Sequence, residues 1–182
     1  MARLKRAFFT REAEVVAQEL LGKILVLRRR HQTYRVRIVE TEAYVGEHDL
    51  ACHASKGRTL RTEVMFAKGG VAYVYFIYGM YEMFNVVTSA KNCGQAVLIR
   101  AGECLSHPEL DLSGPGKFTR ELGITRALNG QSLVSSTLYF EDGTTRPQIT
   151  RARRIGVDYA KHWARRLLRF YDEKSSFVSR RV

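Results

Sequence analysis

Residues 34–44 read Y-R-V-R-I-V-E-T-E-A-Y, and the alternation of apolar with polar side chains predicts a β-strand with one buried face. If the strand stays regular, the apolar row that begins at Tyr34 continues through Glu40 and Glu42, which places two carboxylates against the core. Burying a carboxylate is costly unless it is paired with a cation or used in chemistry. The strand therefore marks a candidate functional site. For Glu40, a structural ion pair is an equally good interpretation.

Residues 71–88 are a second informative segment, because two apolar, aromatic-rich runs flank the pair Tyr78-Gly79. This pattern predicts a β-hairpin. An exposed aromatic ring at a hairpin tip is unusual, and in a basic protein such a ring can enter a DNA groove and separate stacked bases. The alternative is a hydrophobic hairpin that packs on the core, and the segment alone favours neither.

The remaining patterns predict short helices and strands. A first helix is capped by Thr10 and ended by Gly22, and a second has Pro115 in its first turn and closes at Gly123. Further strands are predicted at residues 23–27, 96–99, 133–140 and 148–157, whereas residues 163–171 are ambiguous. The expected fold class is α+β: a single compact domain, residues 1–182, with a largely antiparallel mixed sheet, flanking helices and a protruding β-hairpin.

Positive charge is concentrated at the two ends of the chain. Residues 1–37 contain ten lysines and arginines against three acidic residues, residues 146–182 contain eleven against three, and the middle contains nine against twelve. Basic surfaces bind polyanions because phosphate contacts release condensed counterions. We therefore expect a nucleic-acid partner, with a basic surface kept for solubility as the alternative. Lys117 lies at a Gly-Pro-Gly helix start with free N–H groups and is a candidate for a DNA backbone contact.

The cysteine and histidine content favours neither a disulfide framework nor a metal site. Cys52, Cys93 and Cys104 are odd in number and form no C-x-x-C pair, which is typical of reduced thiols. His48, Cys52 and His53 are the one compact group of metal-capable residues, and a second pair at zinc spacing is missing. The chain has no apolar run near the roughly 20 residues of a membrane span and no signal peptide. We expect a soluble cytoplasmic protein, nucleoid-associated if bacterial, with no membrane partner.

Taken in order, the motifs resemble those of the alkyladenine (3-methyladenine) DNA glycosylase family, from about Phe8 to Arg180. The matching segments are V-E-T-E-A-Y at 39–44, A-C-H at 51–53, T-L-R-T at 59–62, Y-V-Y-F-I-Y-G-M-Y at 73–81, V-L-I-R at 97–100, S-G-P-G-K at 113–117 and L-L-R-F-Y at 167–171. The resemblance implies a mammalian-type, monofunctional glycosylase. Such an enzyme flips alkylated or deaminated purines out of duplex DNA and hydrolyses the N-glycosidic bond, leaving an abasic site.

The resemblance implies three catalytic positions. Glu42 matches the family's general base, which activates the water that attacks the sugar, and its charge can stabilise an oxocarbenium-like centre. Arg100 matches the residue that helps to hold Glu42 and the water, and an arginine beside a carboxylate keeps it ionised. The backbone carbonyl of Ile155 is implied to contact the same water.

The resemblance also implies a pocket for the flipped base. Tyr44, His53 and Tyr75 match the aromatic groups that stack on it, and His53 is implied to hydrogen-bond its edge. Electron-poor alkylated purines gain most from such stacking. Tyr78 matches the residue that intercalates into the vacated stack, and Asn85 matches the position that crowds the exocyclic amine of guanine. No lysine lies in the matched pocket motifs, so lyase chemistry through a Schiff base is not expected. The implied protein is a monomer without metal, nucleotide cofactor or iron–sulfur cluster.

The chain departs from the family pattern in two places. Only twelve residues separate Arg100 from Ser113, where the family has a longer, largely helical insertion, so that side of the sheet must be covered differently. Gly69 stands where proline is common, and we expect it to loosen the approach to the hairpin. Competing interpretations are a non-catalytic damage-binding protein of the same fold and an acyl- or formyl-transferring enzyme acting on RNA. The first leaves Glu42 and Arg100 unexplained, and the second lacks a recognisable catalytic set.

Overall fold

An antiparallel β-sheet organises the part of the chain that the computed structural model describes, residues 1–181. Its strands are β1 (Ile24–Arg29), β2 (Gln32–Val45), β3 (Val71–Ile77), β4 (Tyr81–Thr88), β5 (Gln95–Cys104), β6 (Leu138–Glu141), β7 (Ile149–Ala152) and β8 (Arg169–Asp172). Six of them follow the order β3-β4-β5-β2-β1-β6, and β8 joins β2 to β7. All pairings between these strands are antiparallel, which confirms the predicted α+β class.

Short helices pack into the main hydrophobic core: α1 (Arg6–Phe9), α2 (Ala13–Leu20) and α3 (Pro115–Glu121). The 3-10 turns lie at His53–Lys56, Glu63–Phe66, Arg126–Leu128 and Asp158–Arg165, and the first two contribute to a separate apolar cluster. The prediction that Thr10 caps the first long helix is wrong. Its hydroxyl donates back into α1, and Glu12 occupies the N-cap position of α2. The chain breaks between the two helices because the Phe9 carbonyl turns to accept the Ser89 amide.

The core-facing row of β2 changes from even to odd residues halfway along the strand. Val36 and Ile38 lie in the main core, and Ala43 lies in the same core further along. Between them, the Thr41 hydroxyl donates a hydrogen bond of 2.8 Å to a carbonyl of α2. The ladder with β5 is irregular on both sides of Glu40, an interruption of the β-bulge type, which re-aims the side chains that follow.

This change turns Glu40 and Glu42 away from the main core, so the prediction that they continue its apolar row is wrong. They face the opposite side of the sheet together with Tyr44. Pattern reading failed here because it assumed a regular pleat, and a single interruption moves every later side chain to the other face.

The predicted hairpin is present as β3 and β4, joined by Tyr78, Gly79 and Met80, since Ile77 pairs with Tyr81. Tyr78 and Gly79 have positive φ, 54° and 68°, and the Met80 amide donates to the Ile77 carbonyl at 3.3 Å, as in a type I′ β-turn. The packing interpretation holds for the base of the hairpin, and insertion of its tip into DNA stays a prediction. The base packs on the core through Val74 and Phe84, whereas the tip projects and leaves Tyr78 75% exposed.

Gly69 fastens the chain before the hairpin, so the expectation that it loosens the approach is wrong. A Cβ at this position would overlap the carbonyl oxygen of Phe9. The Gly69 amide donates to the Ser89 carbonyl at 3.0 Å, and the Gly69 carbonyl accepts from Arg6 at 2.9 Å. A proline would lose the first of these bonds. Close packing of α1 on the sheet therefore requires a glycine here.

The short connection between Arg100 and Ser113 covers its side of the sheet with a loop. β5 runs on to Cys104, and the chain then returns so that the Leu112 carbonyl accepts a hydrogen bond from the Gly102 amide. The Leu112 side chain is fully buried in the main core. One returning loop thus covers this side of the sheet.

The predicted strands near the C-terminus are longer than the observed ones. β6 begins only at Leu138, and β7 ends at Ala152 because Arg154 turns inward to bind Asp49. The ambiguous residues 163–171 divide between the last 3-10 turn and β8.

Candidate active site

A cavity of about 170 Å³ opens on the face of the sheet opposite the main core. This is roughly ten times the space that one buried water needs, so a flat ring fits. Its walls are mostly aromatic and apolar with few polar groups, which is typical of a small-molecule site. The predicted site residues that line it are Tyr44, His53, Tyr75, Tyr78, Asn85, Arg100 and Ile155. Glu42 and Lys117 do not line it.

Glu42 lies behind Tyr44, Arg100 and Ile155, and it is fully buried. Its Oε1 accepts the Ile155 backbone N–H at 2.8 Å and lies 3.2 Å from Nη1 of Arg100. Its Oε2 accepts the Tyr44 hydroxyl at 2.9 Å. An ionised carboxylate has about four acceptor positions. The guanidinium crowds Oε1, so the position left for a further donor is on Oε2, next to Tyr44.

Arg100 is held in its charged form by the carboxylates it contacts. Burial disfavours the charge, but the nearby Glu42 and Glu40 outweigh this penalty and raise the pKa of Arg100 above its ordinary value. Nη1 of Arg100 therefore places a permanent positive charge 3.2 Å from Oε1 of Glu42.

Tyr44 is fixed as a hydrogen-bond donor. Burial, and then the negative charge of Glu42, raise the pKa of Tyr44 well above its ordinary value, so its phenol stays protonated. The Tyr44 ring also lies 4.8 Å from the guanidinium carbon of Arg154. Its hydroxyl therefore serves Glu42 while its ring lines the cavity.

An ion pair that the sequence reasoning missed fixes the loop that carries Ile155. Arg154 donates to both carboxylate oxygens of Asp49, at 2.5 and 2.9 Å, and both side chains are fully buried. Asp49 also accepts the backbone amides of Val45 and Ala51. The pair thus ties the loop after β2 to the loop after β7. No local pattern signals it, because its members are 105 residues apart.

Two rings of the predicted pocket pack against each other on one wall. The ring centroids of His53 and Tyr75 are 4.5 Å apart, and Nδ1 of His53 lies 3.0 Å from the Tyr73 hydroxyl. Burial, with Arg61 and Lys56 nearby, lowers the pKa of His53 to about 4. The imidazole is therefore neutral at physiological pH, with one ring nitrogen as donor and the other as acceptor.

Asn85 reaches the cavity from β4. It is buried, and its amide nitrogen donates to the carbonyls of Tyr73 and Met83. These contacts fix the side chain as part of the wall.

The structure separates the two predicted DNA-contact residues. Tyr78 lines the mouth of the cavity from the hairpin tip. Lys117 is not at the cavity: its ammonium donates to Asp111 at 2.6 Å and to Ser113 at 3.4 Å. A phosphate would have to compete with Asp111, whose pKa Lys117 holds below its ordinary range. The backbone-contact role of Lys117 stays a prediction.

The metal-capable residues near position 50 turn to different partners. Cys52 donates to the Gly94 carbonyl, His53 contacts Tyr73, and His48 packs 5.3 Å from Trp163, ring centre to ring centre. Within residues 1–181, no three His, Cys, Asp or Glu side chains cluster as metal ligands.

Comparison with known proteins places the chain among the DNA glycosylases. Residues 7–176 match the model of the methylpurine-DNA glycosylase family, and the chain belongs to that family. The resemblance found in the motifs is thereby confirmed. Among the helices described, none is long and apolar enough for a membrane crossing.

Close relatives occur in bacteria and archaea. The chain is 51% identical to a protein of Myxococcus xanthus (strain DK1622), over 97% of this chain and 93% of the relative. It is 47% identical to one of Legionella pneumophila (strain Lens), over 99% and 100%, and 48% identical to one of Methanocella arvoryzae, over 98% and 96%. All three carry the name "putative 3-methyladenine DNA glycosylase".

Proposed function

We propose that the protein is a DNA repair glycosylase that hydrolyses the N-glycosidic bond of alkylated or deaminated purines in duplex DNA. The observation that carries this proposal is a fully buried carboxylate, Glu42, held by Arg100 and the Ile155 amide directly behind an aromatic cavity. Family membership supports the reaction class, and the names of the relatives support damaged purines as substrates.

The hydrolytic step is assigned to a water bound by Glu42. The water donates one proton to the open position on Oε2, and the Ile155 carbonyl is proposed as its second acceptor. As the glycosidic bond breaks, its electron pair leaves with the base, so a cationic alkylated purine departs neutral and a deaminated purine departs as an anion that takes up a proton from solvent. The water oxygen bonds to the anomeric carbon, and its proton passes to Glu42. The negative charge of Glu42 also stabilises the oxocarbenium-like centre. Arg100 is proposed to hold Glu42 and the water in place.

The flipped base is assigned to the cavity beside Tyr44, His53 and Tyr75. Aromatic rings restore the stacking that the base loses on leaving the duplex, and a positively charged alkylated purine gains a further cation–π attraction. Neutral His53 can donate to or accept from the base edge. Asn85, fixed in the wall, is proposed to crowd the exocyclic amine of guanine.

The hairpin tip is proposed to open the duplex. Tyr78 is a large, exposed ring that lines the cavity from the tip of the hairpin. A ring inserted between base pairs fills the space that the flipped nucleotide leaves. The wedge and the pocket thus lie side by side, as flipping requires.

The grip on the DNA backbone is assigned to the exposed cations of both chain ends. Arg154 and Arg169 do not contribute, since both are buried in ion pairs. The described lining of the cavity contains no lysine, which supports hydrolysis without lyase chemistry. We propose a monomer that acts on duplex DNA in the cytoplasm, or at the nucleoid in a bacterium.

The test is incubation with duplex oligonucleotides that carry one hypoxanthine, ethenoadenine, 3-methyladenine or 7-methylguanine. The expected product is an abasic site, detected as a strand break only after alkali. Breaks without alkali would indicate a lyase. Tight binding of a damaged duplex with no release of any of these bases would support the non-catalytic alternative and refute the proposal.

A further inference from the structure

A second buried carboxylate lies behind the Glu42 site. Glu40 is fully buried, and its Oε1 accepts Nε of Arg100 at 2.9 Å and Nη1 of Arg169 at 3.0 Å. Its Oε2 accepts the Ser179 backbone N–H at 2.7 Å. Glu40 is therefore held by two guanidinium groups and the Ser179 amide, and of these partners only Arg100 lines the cavity.

The C-terminal segment 177–181 closes this cluster. Besides the Ser179 amide, the Arg180 carbonyl accepts from Nη1 of Arg169 at 2.7 Å, and the Ser179 hydroxyl lies 3.4 Å from Nη2 of Arg100. The last described residues of the chain are thus joined to a network that reaches Glu42 through one guanidinium.

The geometry of Arg100 links the two carboxylates. Its Nε contacts Glu40, and its Nη1 contacts Glu42 at 3.2 Å. A guanidinium is planar and rigid, so the contact that fixes Nε also fixes where Nη1 points. Arg100 and Arg169 together balance the two negative charges. Glu40 is thus both the orienting partner of Arg100 and half of the local negative charge.

We propose that Glu40 is a positioning residue of the glycosylase site: it aims Arg100 at Glu42, and its charge sets how much positive field Glu42 feels. This inference rests on the proposed function. Removing the Glu40 charge leaves Arg100 and Arg169 facing one carboxylate, which favours the ionised form of Glu42. It also frees the Arg100 plane to rotate away from Glu42. The plateau rate of excision should therefore fall, while the acid limb of the pH–rate profile, the decline in rate at low pH, should move to lower pH.

The titratable, charged and hydrogen-bonding groups that affect this test surround both carboxylates. They are Tyr44 on β2, Tyr75 on β3, Arg100 on β5, Arg154 in the loop after β7, Arg169 on β8 and the Ser179 amide.

The test is Glu40→Gln in the full chain, measured by single-turnover excision across pH. The wild-type protein must first release a damaged base; if it does not, the proposed function fails and not this inference. Because small displacements of catalytic groups cost up to about 100-fold, we expect the plateau rate to fall about 10- to 100-fold. The acid limb of the rate profile should move to lower pH, because Arg100 and Arg169 would then face one carboxylate. Affinity for the damaged duplex should change less than about threefold.

Glu141→Gln is the control, since it also removes a largely buried carboxylate that pairs with an arginine, the partly exposed Arg35, outside the cavity. It should leave the acid limb and the plateau rate per folded molecule unchanged. A Glu40→Gln protein that behaves in the same way, losing stability while its acid limb stays in place, would assign Glu40 a purely structural role and overturn the inference.

Glu40→Asp decides the question if Glu40→Gln does not fold. It keeps the charge but withdraws the carboxylate from Arg100. The expected result is a lower plateau rate, an unmoved acid limb and unchanged affinity for the damaged duplex. A wild-type plateau rate in Glu40→Asp would show that the aim of Arg100 does not depend on Glu40.

Discussion

The Tyr44 hydroxyl donates a hydrogen bond of 2.9 Å to Oε2 of Glu42, two residues earlier on the same face of β2. One residue therefore supplies a ring to the cavity and a donor to the proposed base. Ile155 and Arg100 both contact Oε1 of Glu42, so the acceptor position left for a water is on Oε2, beside the Tyr44 hydroxyl. Tyr44 links base binding to the proton-accepting carboxylate.

Tyr44→Phe separates these two roles, since it keeps the ring and removes the donor. A hydrogen bond to a charged group contributes about 1.5–3 kcal/mol, so we expect single-turnover excision to slow about tenfold or more. The acid limb of the rate profile should move to higher pH, because the ionised carboxylate loses a donor. Affinity for the damaged duplex should hold, as measured by fluorescence anisotropy. A full rate with an unmoved limb would show that this bond does not serve catalysis.

Glu42→Gln removes the proposed base while preserving its shape. A general base contributes a factor of about 100 to 10,000 to the rate, and we expect the excision rate to fall by that factor or more. Binding of a hypoxanthine or ethenoadenine duplex should persist, because the aromatic walls are unchanged. The measurement pairs single-turnover release with a binding titration, and Glu141→Gln again serves as the control. Normal turnover by Glu42→Gln would refute the assignment of the base.

His53 should make stability depend on pH in a defined direction. Burial lowers its pKa to about 4 in the folded protein, against about 6.5 in an unfolded chain. The unfolded state therefore binds an extra proton below about 6.5, so the free energy of unfolding falls between about pH 6.5 and 4. His53→Gln should lose less stability across that window than the unsubstituted protein, as followed by urea denaturation. His31→Gln, at an exposed histidine, is the control; equal slopes for all three proteins would contradict the prediction.

Local patterns predicted the elements of the site better than their orientation. The alternation in β2 and the turn pair Tyr78-Gly79 depend on neighbouring residues, and both elements are present. The face of the sheet on which Glu42 lies depends on the irregular pairing of β2 with β5 around Glu40. The sequence of β2 alone does not reveal this irregularity. The Asp49–Arg154 pair likewise depends on a tertiary contact, between residues 105 positions apart. Such contacts are not visible in spacing.

Tyr78→Ala should weaken damaged-duplex binding by about 1–3 kcal/mol, the usual contribution of a base-stacking side chain. The slope of affinity against salt should stay the same, because no phosphate contact is lost. Met80→Ala is the matched control, since Met80 is 65% exposed on the same hairpin tip but does not line the cavity. Equal losses for the two variants would assign the effect to the hairpin surface in general and remove the wedge role.

Gly69→Ala should destabilise the fold, because its Cβ would overlap the Phe9 carbonyl oxygen. That oxygen belongs to the backbone, so no side-chain rotation can relieve the overlap. Overpacking of this kind costs about 1–3 kcal/mol. Gly69→Pro should cost more, since it also removes the amide that donates to the Ser89 carbonyl. The exposed neighbour provides the control: Lys68→Ala should stay within about 0.5 kcal/mol of the unsubstituted protein in a denaturation experiment. A Gly69→Pro protein as stable as the unsubstituted one would contradict the prediction. It would show that α1 does not pack closely against residue 69.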